Sequence, residues 1–358
     1  MMTTILAFVF VLGLLVFVHE LGHFIAAKKS GIRVERFSLG FPPKLIGKKV
    51  GETEYCIGVV PLGGYVKMIG ENEFDDDYVP QPGDFMAASL WKRFIVISAG
   101  PIMNLITAAL LFFIIYWATG LPEQVKDSTI IGIVSPSGPA EKAGMMPGSE
   151  ILSIDGFAFA DFSEMAEYIK TRPNREIIIS WLAEGDTITA ATTTMEYAVK
   201  DSLGNEKIEG RIGVGPEFTY KPIGPLKAIG EGISATVFLI GQMFDLIWKL
   251  ITQQESIKGL GGPIRIAQFA GQAAEQGFLS LLGLAAFLSV NLGILNILPI
   301  PVLDGGHLVF LSIEAIRRKP VSLKGRMIAQ QVGFGLLLLL MIVVTYNDIA
   351  SMFSGVLK

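Results

Sequence analysis

The sequence predicts a polytopic α-helical membrane protein with four transmembrane helices, a membrane-associated β-hairpin and an extracytoplasmic α+β module. Of the 358 residues, 51% are hydrophobic and only 17% are charged, whereas soluble domains carry about a quarter charged residues. The mean hydropathy is +0.52. From residue 130 onward, strand-forming runs alternate with glycine turns, which predicts the folded module. The net charge of −4 gives no reason to expect a nucleic acid partner.

The first predicted span covers residues 5–27, an apolar run of about 34 Å as a helix, which is enough to cross the bilayer core. No basic segment precedes this run and no small-residue cleavage site follows it. We therefore expect a retained helix rather than a cleaved signal peptide. Further spans are expected at residues 94–118, 279–298 and 332–345.

Lysines and arginines in the connecting segments predict how these spans are oriented. Seven lie at residues 28–49, after the first span, and five lie at residues 317–326, between the third and fourth spans. Both segments are therefore expected in the cytoplasm. This leaves both chain termini and the folded module on the extracytoplasmic side.

One further apolar stretch, residues 237–251, is short for a span and contains Gln242, Asp245 and Lys249. A crossing here would reverse the last two spans and carry the arginine cluster outside. We therefore expect an amphipathic helix lying on the outer membrane face or against the protein. A helix buried within the extracytoplasmic part of the protein is the alternative.

The segments between the spans predict a division of the chain. The β-rich residues 54–68 are expected to form a hairpin against the membrane, where protein or a cavity must satisfy the backbone. The acidic residues 71–84 are expected to form a mobile cytoplasmic loop, and a helix is predicted at residues 162–170. The predicted regions are 1–118 for the first two spans and the hairpin, 119–222 for the extracytoplasmic module, 223–278 for an amphipathic linker region and 279–358 for the last two spans.

A polar cluster lies inside the first span, where such groups are most costly. Residues 19–23 read HELGH, which places His19 and His23 one above the other on one helix face. Two imidazoles at that spacing suit one zinc ion, and Glu20 between them suits the general base of a hydrolase. The alternative is a polar cluster that only packs against another helix. This alternative explains less well than a metal site why three ionisable residues lie within five positions of one span.

A zinc site of this kind needs a third protein ligand, and residues 304–307 offer two candidates. Asp304 would partly neutralise a zinc ion held by two neutral imidazoles. Pro299 and Pro301 break the preceding helix and would give Asp304 an irregular backbone from which to turn inward. His307 is the second candidate. A helix cap at the membrane interface is the structural alternative for Asp304.

Several motifs, all in order, resemble those of site-2 proteases. HELGH lies in the first span, AGPIMN (99–104) opens the second and NILPIPVLDGG (296–306) closes the third. Between spans two and three, PAEKAGMMPGSEILSIDG resembles a bacterial PDZ domain. The chain is thus similar to the site-2 protease family of intramembrane zinc metalloproteases, in particular to its bacterial regulator-of-sigma-E branch. The best-known proteobacterial members carry two PDZ domains, so a mechanism that needs a PDZ pair is not expected here.

The resemblance implies a set of site residues. It implies that His19, His23 and Asp304 bind one zinc ion, that Glu20 is the catalytic base and that His307 is a bystander near the cytoplasmic end.

Substrate-binding residues are also expected. The side-chain amides of Asn291 and Asn296 can pair with the backbone of an unwound substrate, although helix–helix hydrogen bonding is the alternative. Residues 58–68, with Gly63, Gly64 and Tyr65, resemble the family's membrane-reentrant β-loop, which is expected to bind substrate by strand addition.

The resemblance further implies an enzyme of the bacterial cytoplasmic membrane that cuts single-pass membrane proteins within or near the bilayer, in some cases after a first cut by a site-1 protease. Anti-sigma factors and remnant signal peptides are both typical substrates, and the PDZ domain either recruits substrates or filters them. A transporter would usually show internal repeats. A membrane-tethered PDZ scaffold with a dead metal site would usually have lost part of HELGH or of the LDG segment.

Overall fold

A computed structural model of the chain describes residues 2–71, 79–200, 206–256 and 261–356. These residues form two compact units, one containing the chain up to Ala118 and from Gly224 onward, the other Thr119–Ile223. The helices are α1 (Met2–Lys29), α2 (Leu90–Thr119), α3 (Pro139–Lys142), α4 (Phe162–Lys170), α5 (Pro225–Ile251), α6 (Pro263–Gln276), α7 (Phe278–Ile297), α8 (Asp304–Arg317) and α9 (Leu323–Val356). The strands are β1 (Val34–Val50), β2 (Thr53–Met68), β3 (Leu121–Gln124), β4 (Ile131–Val134), β5 (Glu150–Ile154), β6 (Glu176–Ala183), β7 (Asp186–Thr193), β8 (Met195–Lys200), β9 (Glu206–Arg211), β10 (Val214–Pro216) and β11 (Phe218–Lys221).

Five helices of the described chain are long and apolar enough to cross a membrane, namely α1, α2, α5, α7 and α9. Four of them contain the predicted spans. The fifth, α5, contains the stretch that is expected on the outer membrane face or against the protein, and it begins at Pro225, well before residue 237. The expected count of four spans is therefore not confirmed, and the number of crossings stays a prediction.

The helix α5 packs on α2 and α7 along its length. A Cβ added at Gly232 would lie 2.7 Å from the carbonyl oxygen of Ala109, so glycine allows α5 to approach the backbone of α2 closely. Further along α5, Leu239 and Met243 pack against Val290 and other residues of α2 and α7. Apolar contacts therefore join α5 to the helices that surround the polar cluster.

The first two strands form a folded-over sheet rather than a simple pair. Residues 36–39 of β1 pair with residues 64–67 on one side and with residues 54–57 on the other, while residues 44–50 pair with 53–58. Residues 60–68 of β2 are therefore an outer segment. Among the described residues, no strand pairs with the free side of that segment.

The prediction that residues 54–68 form the whole hairpin is wrong, because they are the second strand of a larger sheet. The strand β1 carries several lysines and arginines and the pair Pro42 and Pro43, which the sequence analysis takes as a basic cytoplasmic segment. Backbone pairing with β2 makes this basic segment a strand, and ion pairs across the sheet balance part of its charge. Glu54 accepts from Lys44 at 2.5 Å and from Arg36 Nε at 2.8 Å.

Contacts with α1 give the direction of the outer segment of β2. Gly64 lies beside Val16 and Glu20, because a Cβ added there would be 3.2 and 3.3 Å from their side chains. Met68 instead packs in the cluster of Ala26 and Ala27, near the basic end of α1. Residues 64–68 therefore run alongside α1 toward the end that carries Lys28 and Lys29.

The connection between α7 and α8 is short and irregular, and it ends before Asp304. Asp304 is the first residue of α8, so the expectation of an irregular backbone at Asp304 is wrong. The prolines end α7, but Gly305 and Gly306 let α8 begin directly against the preceding chain. A Cβ at either glycine would lie 2.1 or 2.3 Å from a carbonyl oxygen of residues 297–300.

The Thr119–Ile223 unit is built from short strands around an apolar core. Trp181, Ile179, Ile154 and Met165 are fully buried at its centre. The predicted helix at residues 162–170 is α4, and Asp161 caps it by accepting from the backbone N–H of Glu164 at 2.8 Å. A groove of about 280 Å³ lies between α4 and residues 210–214. The PDZ assignment of this unit rests on the sequence motif.

Candidate metal centre

Three side chains that the sequence analysis singles out lie together in the first unit. His19 and His23 come from α1, and Asp304 comes from the first turn of α8. The two Nε2 atoms are 3.2 Å apart. Asp304 Oδ2 is 3.1 Å from Nε2 of His19, and Oδ1 is 3.5 Å from Nε2 of His23. Their ligand atoms all lie within 4.8 Å of one another.

These spacings fit a zinc ion. Nitrogen and oxygen ligands at about 2.0–2.2 Å from zinc in a tetrahedral arrangement lie roughly 3.3–3.6 Å from one another. Asp304 Oδ2 is buried and has no hydrogen-bond partner, although it lies near an imidazole nitrogen. An unpaired carboxylate oxygen beside two imidazole nitrogens that carry lone pairs is the donor set that a divalent cation satisfies.

Contacts from α2 orient both imidazoles. Nδ1 of His23 is 2.8 Å from the carbonyl oxygen of Val96. A carbonyl only accepts, so this Nδ1 carries the hydrogen and Nε2 presents its lone pair toward Asp304. Nδ1 of His19 is 3.1 Å from the amide of Asn104, a residue that is fully buried.

The side-chain oxygen of Asn104 has no partner of its own. Rotating this amide by half a turn brings Oδ1 to Nδ1 of His19, which leaves Nε2 of that ring free to bind metal. Ser289 of α7 donates to the Asn104 carbonyl at 2.8 Å and ties the same turn of α2 to the third predicted span. Asn104 therefore lies where a support for a metal ligand is needed.

Gly100 makes the close approach of α1 and α2 possible. A Cβ at this position would lie 2.3 Å from Nε2 of His23 and 2.8 Å from Cε1 of His19. On the facing side, a Cβ at Gly22 would lie 2.4 Å from the carbonyl oxygen of Ala99. The sequence analysis assigns no role to Gly100, although a glycine-proline pair inside an apolar span was a signal that could have suggested one.

A cavity of about 260 Å³ opens beside the three side chains. Its lining includes Glu20 next to the histidines, Tyr65 on β2 and Asn296 on α7, all three singled out from the sequence. The amide nitrogen of Asn296 is 3.4 Å from Nε2 of His19. The cavity therefore combines a possible cation site, a carboxylate and polar groups on an edge segment of a sheet.

The remaining predicted substrate-binding residues lie elsewhere. Asn291 is on α7 but not among the residues that line the cavity. Gly63 and Gly64 also lie outside the lining. A Cβ at Gly63 would meet the ring of Phe41 at 2.2 Å, and one at Gly64 would meet the carbonyl oxygen of Ser38 at 2.7 Å, so both glycines allow the strands to fold tightly.

Two ionisable residues line the cavity without having been assigned to it from the sequence. His307, expected to be a bystander, is part of the lining, and burial lowers the pKa of its imidazole. Glu71 also lines it, and burial raises the pKa of its carboxyl to about 7. The expected loop at 71–84 thus begins inside the cavity wall, and its residues 72–78 lie outside the described chain.

Comparison with known proteins identifies the family of the chain. A model of peptidase family M50 matches residues 7–340. The chain belongs to peptidase family M50. A relative from Rhizobium meliloti is 38% identical over 98% of this chain and 97% of its own length. The zinc metalloprotease RasP of Bacillus licheniformis is 32% identical, over 98% of this chain and 100% of RasP. The regulator of sigma-W protease RasP of Bacillus subtilis is 31% identical, over 98% of this chain and 99% of that protein.

Membership of family M50 confirms the predicted site-2 protease family and the expectation of a zinc metallopeptidase. Two solved PDZ domains match about a quarter of the chain. The PDZ domain of an SdrC-like protein from Listeria monocytogenes is 21% identical and covers 26% of this chain and 92% of that one, with a TM-score of 0.21.

Proposed function

We propose that this M50 peptidase is an intramembrane zinc endopeptidase that cuts single-span membrane proteins within or near the bilayer, as a step of regulated intramembrane proteolysis. One observation carries the proposal. Two imidazoles from an apolar helix long enough to span a membrane meet a carboxylate from α8, beside a cavity that a sheet edge also lines. Polar groups at such depth mark functional sites by default.

The proposed ligands of one zinc ion are His19, His23 and Asp304. A zinc ion held by these side chains would supply Lewis-acid activation of the scissile carbonyl and of water. Val96 and Asn104 hold the two rings so that both Nε2 atoms face Asp304.

Glu20 is the proposed general base. It precedes the second histidine by three residues on α1 and lines the same cavity. Its carboxylate would take a proton from the attacking water and return it to the nitrogen of the leaving amine as the peptide bond breaks. Asn296 would donate to a substrate carbonyl, since its amide nitrogen already faces the imidazole of His19.

Strand addition would present the substrate. A transmembrane helix has all its amides internally bonded, so it must unwind locally before it can be cut. The outer segment of β2 has a free side among the described strands, and Tyr65, Val66 and Met68 from this segment line the cavity. An unwound substrate segment would pair with it as an added strand.

Finer assignments extend the proposal to the substrate, the location and the PDZ module. The Bacillus subtilis relative is named for regulating sigma-W, which supports an anti-sigma factor as substrate, and remnant signal peptides remain the second candidate. We propose the bacterial cytoplasmic membrane as the location, with both termini and the PDZ module outside. The groove beside α4 would bind a substrate terminus exposed by an earlier cut.

The test is cleavage of a single-span reporter by purified protein in detergent. We expect the untreated wild type to cut, and both Glu20→Gln and chelator-treated wild type to be inactive, with activity restored to the treated protein by zinc. Glu20→Gln should retain zinc, because Glu20 is not a proposed ligand. Equal cleavage by Glu20→Gln and wild type would refute the assignment of the base.

A further inference from the structure

One carboxylate in the cavity has no part in the chemistry proposed above. Glu71 follows β2 by three residues, after a turn at residues 69–70, and lines the cavity together with the candidate metal ligands. Glu71 is partly buried, which makes its negative charge costly without a cationic partner. Among the described residues, no lysine or arginine forms an ion pair with Glu71.

The described lining of the cavity offers no lysine or arginine to Glu71. It contains three carboxylates, Glu20, Glu71 and Asp304. Glu20 and Asp304 are accounted for by base catalysis and metal binding, and together they balance the double charge of the proposed zinc ion. Glu71 is therefore available to a cationic group that enters the cavity from outside, and such a group would also favour its ionised form.

The position of Glu71 indicates which part of a substrate it meets. Residues 64–68 run alongside α1 from the level of Glu20 to the basic end of the helix, and Glu71 lies beyond Met68. A substrate strand added to this segment, in either direction, would have its cytoplasmic flank near Glu71. Membrane proteins carry an excess of lysine and arginine on that flank.

We propose that Glu71 binds a lysine or arginine on the cytoplasmic flank of the substrate and thereby sets which peptide bond lies at the metal centre. This inference rests on the proposed function, since it names a substrate-positioning residue for the same cavity. The paired residue would lie roughly two to four positions from the scissile bond, because Glu71 and the candidate metal ligands line one cavity of about 260 Å³, which is roughly 8 Å across, and an added strand advances about 3.3 Å per residue.

The experiment compares single-span reporters that differ at one flank position. A single lysine is moved through roughly the first six positions on the cytoplasmic side of the cut, and at the best position it is replaced by glutamine or glutamate. We expect the wild type to cut the lysine reporter about tenfold faster in kcat/KM than the glutamate reporter. Moving the lysine should also shift the site of cleavage.

Variants of the enzyme decide the origin of this preference. Glu71→Gln should bring the ratio between the lysine and glutamate reporters close to one while retaining zinc, and Glu71→Lys should invert it. The matched control is Glu35→Gln, which removes an exposed carboxylate that pairs with Lys67 on the same sheet and should leave the ratio unchanged. If Glu71→Lys does not fold, the Glu71→Gln ratio decides alone.

The outcomes separate the two proposals. Zinc-dependent cleavage with a ratio that Glu71→Gln leaves unchanged would overturn the role of Glu71 and leave the proposed function standing. Absence of zinc-dependent cleavage for every reporter would overturn the proposed function and this inference with it.

Discussion

Replacing Glu314 by glutamine tests how the helix that carries Asp304 is held in place. Glu314 lies on α8 and is only 8% exposed. Its Oε1 accepts from Nη2 of Arg93 at 2.5 Å, and its Oε2 accepts from Nη1 at 3.2 Å. Nη2 of Arg326 on α9 lies 3.7 Å from the same Oε2. One carboxylate therefore joins α2, α8 and α9.

The expected loss of stability follows from the charges that Glu314→Gln leaves unbalanced. Glu314→Gln leaves two guanidiniums facing each other, and Arg93 is only 4% exposed. Removing one partner of a buried ion pair costs about 3–5 kcal/mol of the free energy of unfolding, and we expect a loss in this range. Arg326→Met should cost about 1 kcal/mol or less, because its contact is long and its side chain is 20% exposed. The charge-free double variant Arg93→Met with Glu314→Leu should recover most of the loss.

The assay is equilibrium unfolding in mixed detergent micelles by titration with dodecyl sulfate. Glu35→Gln, which breaks an exposed ion pair, is the control and should change the free energy of unfolding by about 0.5 kcal/mol or less. If Arg326→Met lowers the free energy of unfolding as much as Glu314→Gln does, the unbalanced charge of the two guanidiniums does not explain the loss. If the double variant is as unstable as Glu314→Gln, lost packing explains the effect instead.

Three further predictions concern the metal centre and the sheet. Gly100→Ala places a Cβ 2.3 Å from the imidazole of His23 and should lower zinc affinity at least about tenfold. Gly335→Ala, whose Cβ meets open space, is the control and should bind zinc like the wild type, as measured by zinc per polypeptide. Asn104→Leu should weaken zinc binding about 10- to 100-fold in chelator competition, and an unchanged affinity would refute its support of the histidine. Lys44, and then a neighbouring arginine, lower the pKa of Glu54 below its usual 4.5. These ion pairs therefore stabilise the sheet fully above the usual pKa of 4.5, and this stabilisation is lost as the pH falls through the lowered pKa of Glu54. Hydrogen-exchange protection of the sheet should decrease at acid pH in the wild type and not in Glu54→Gln.

Family, enzyme class and the outline of the site were accessible from the sequence for local reasons. HELGH places two imidazoles on one face of a helix because its side chains repeat every 3.6 residues, and the apolar run around it makes chance an unlikely explanation. Likewise, a cap residue and an amphipathic pattern over nine residues suffice to predict α4. Such features depend on neighbours within one or two helical turns.

Other features could not be decided from local patterns. The strand β1 has the composition of a basic cytoplasmic segment, and its strand conformation depends on pairing with two separate parts of β2. The helix α5 has polar residues that suit a membrane surface, yet it is long and apolar enough to be a span. Propensity within each segment could not decide either question.

The sequence by itself therefore determined the apolar helices, the paired histidines, the intervening glutamate and the candidate aspartate. Only the tertiary structure decided that Gly100 admits the imidazoles, which imidazole the amide of Asn104 meets, and that Glu71 turns from an expected loop into the cavity. The physical reason is that each of these depends on contacts between residues far apart in the chain. Helical and strand periodicity report only which residues share a face, whereas packing between elements selects which faces meet.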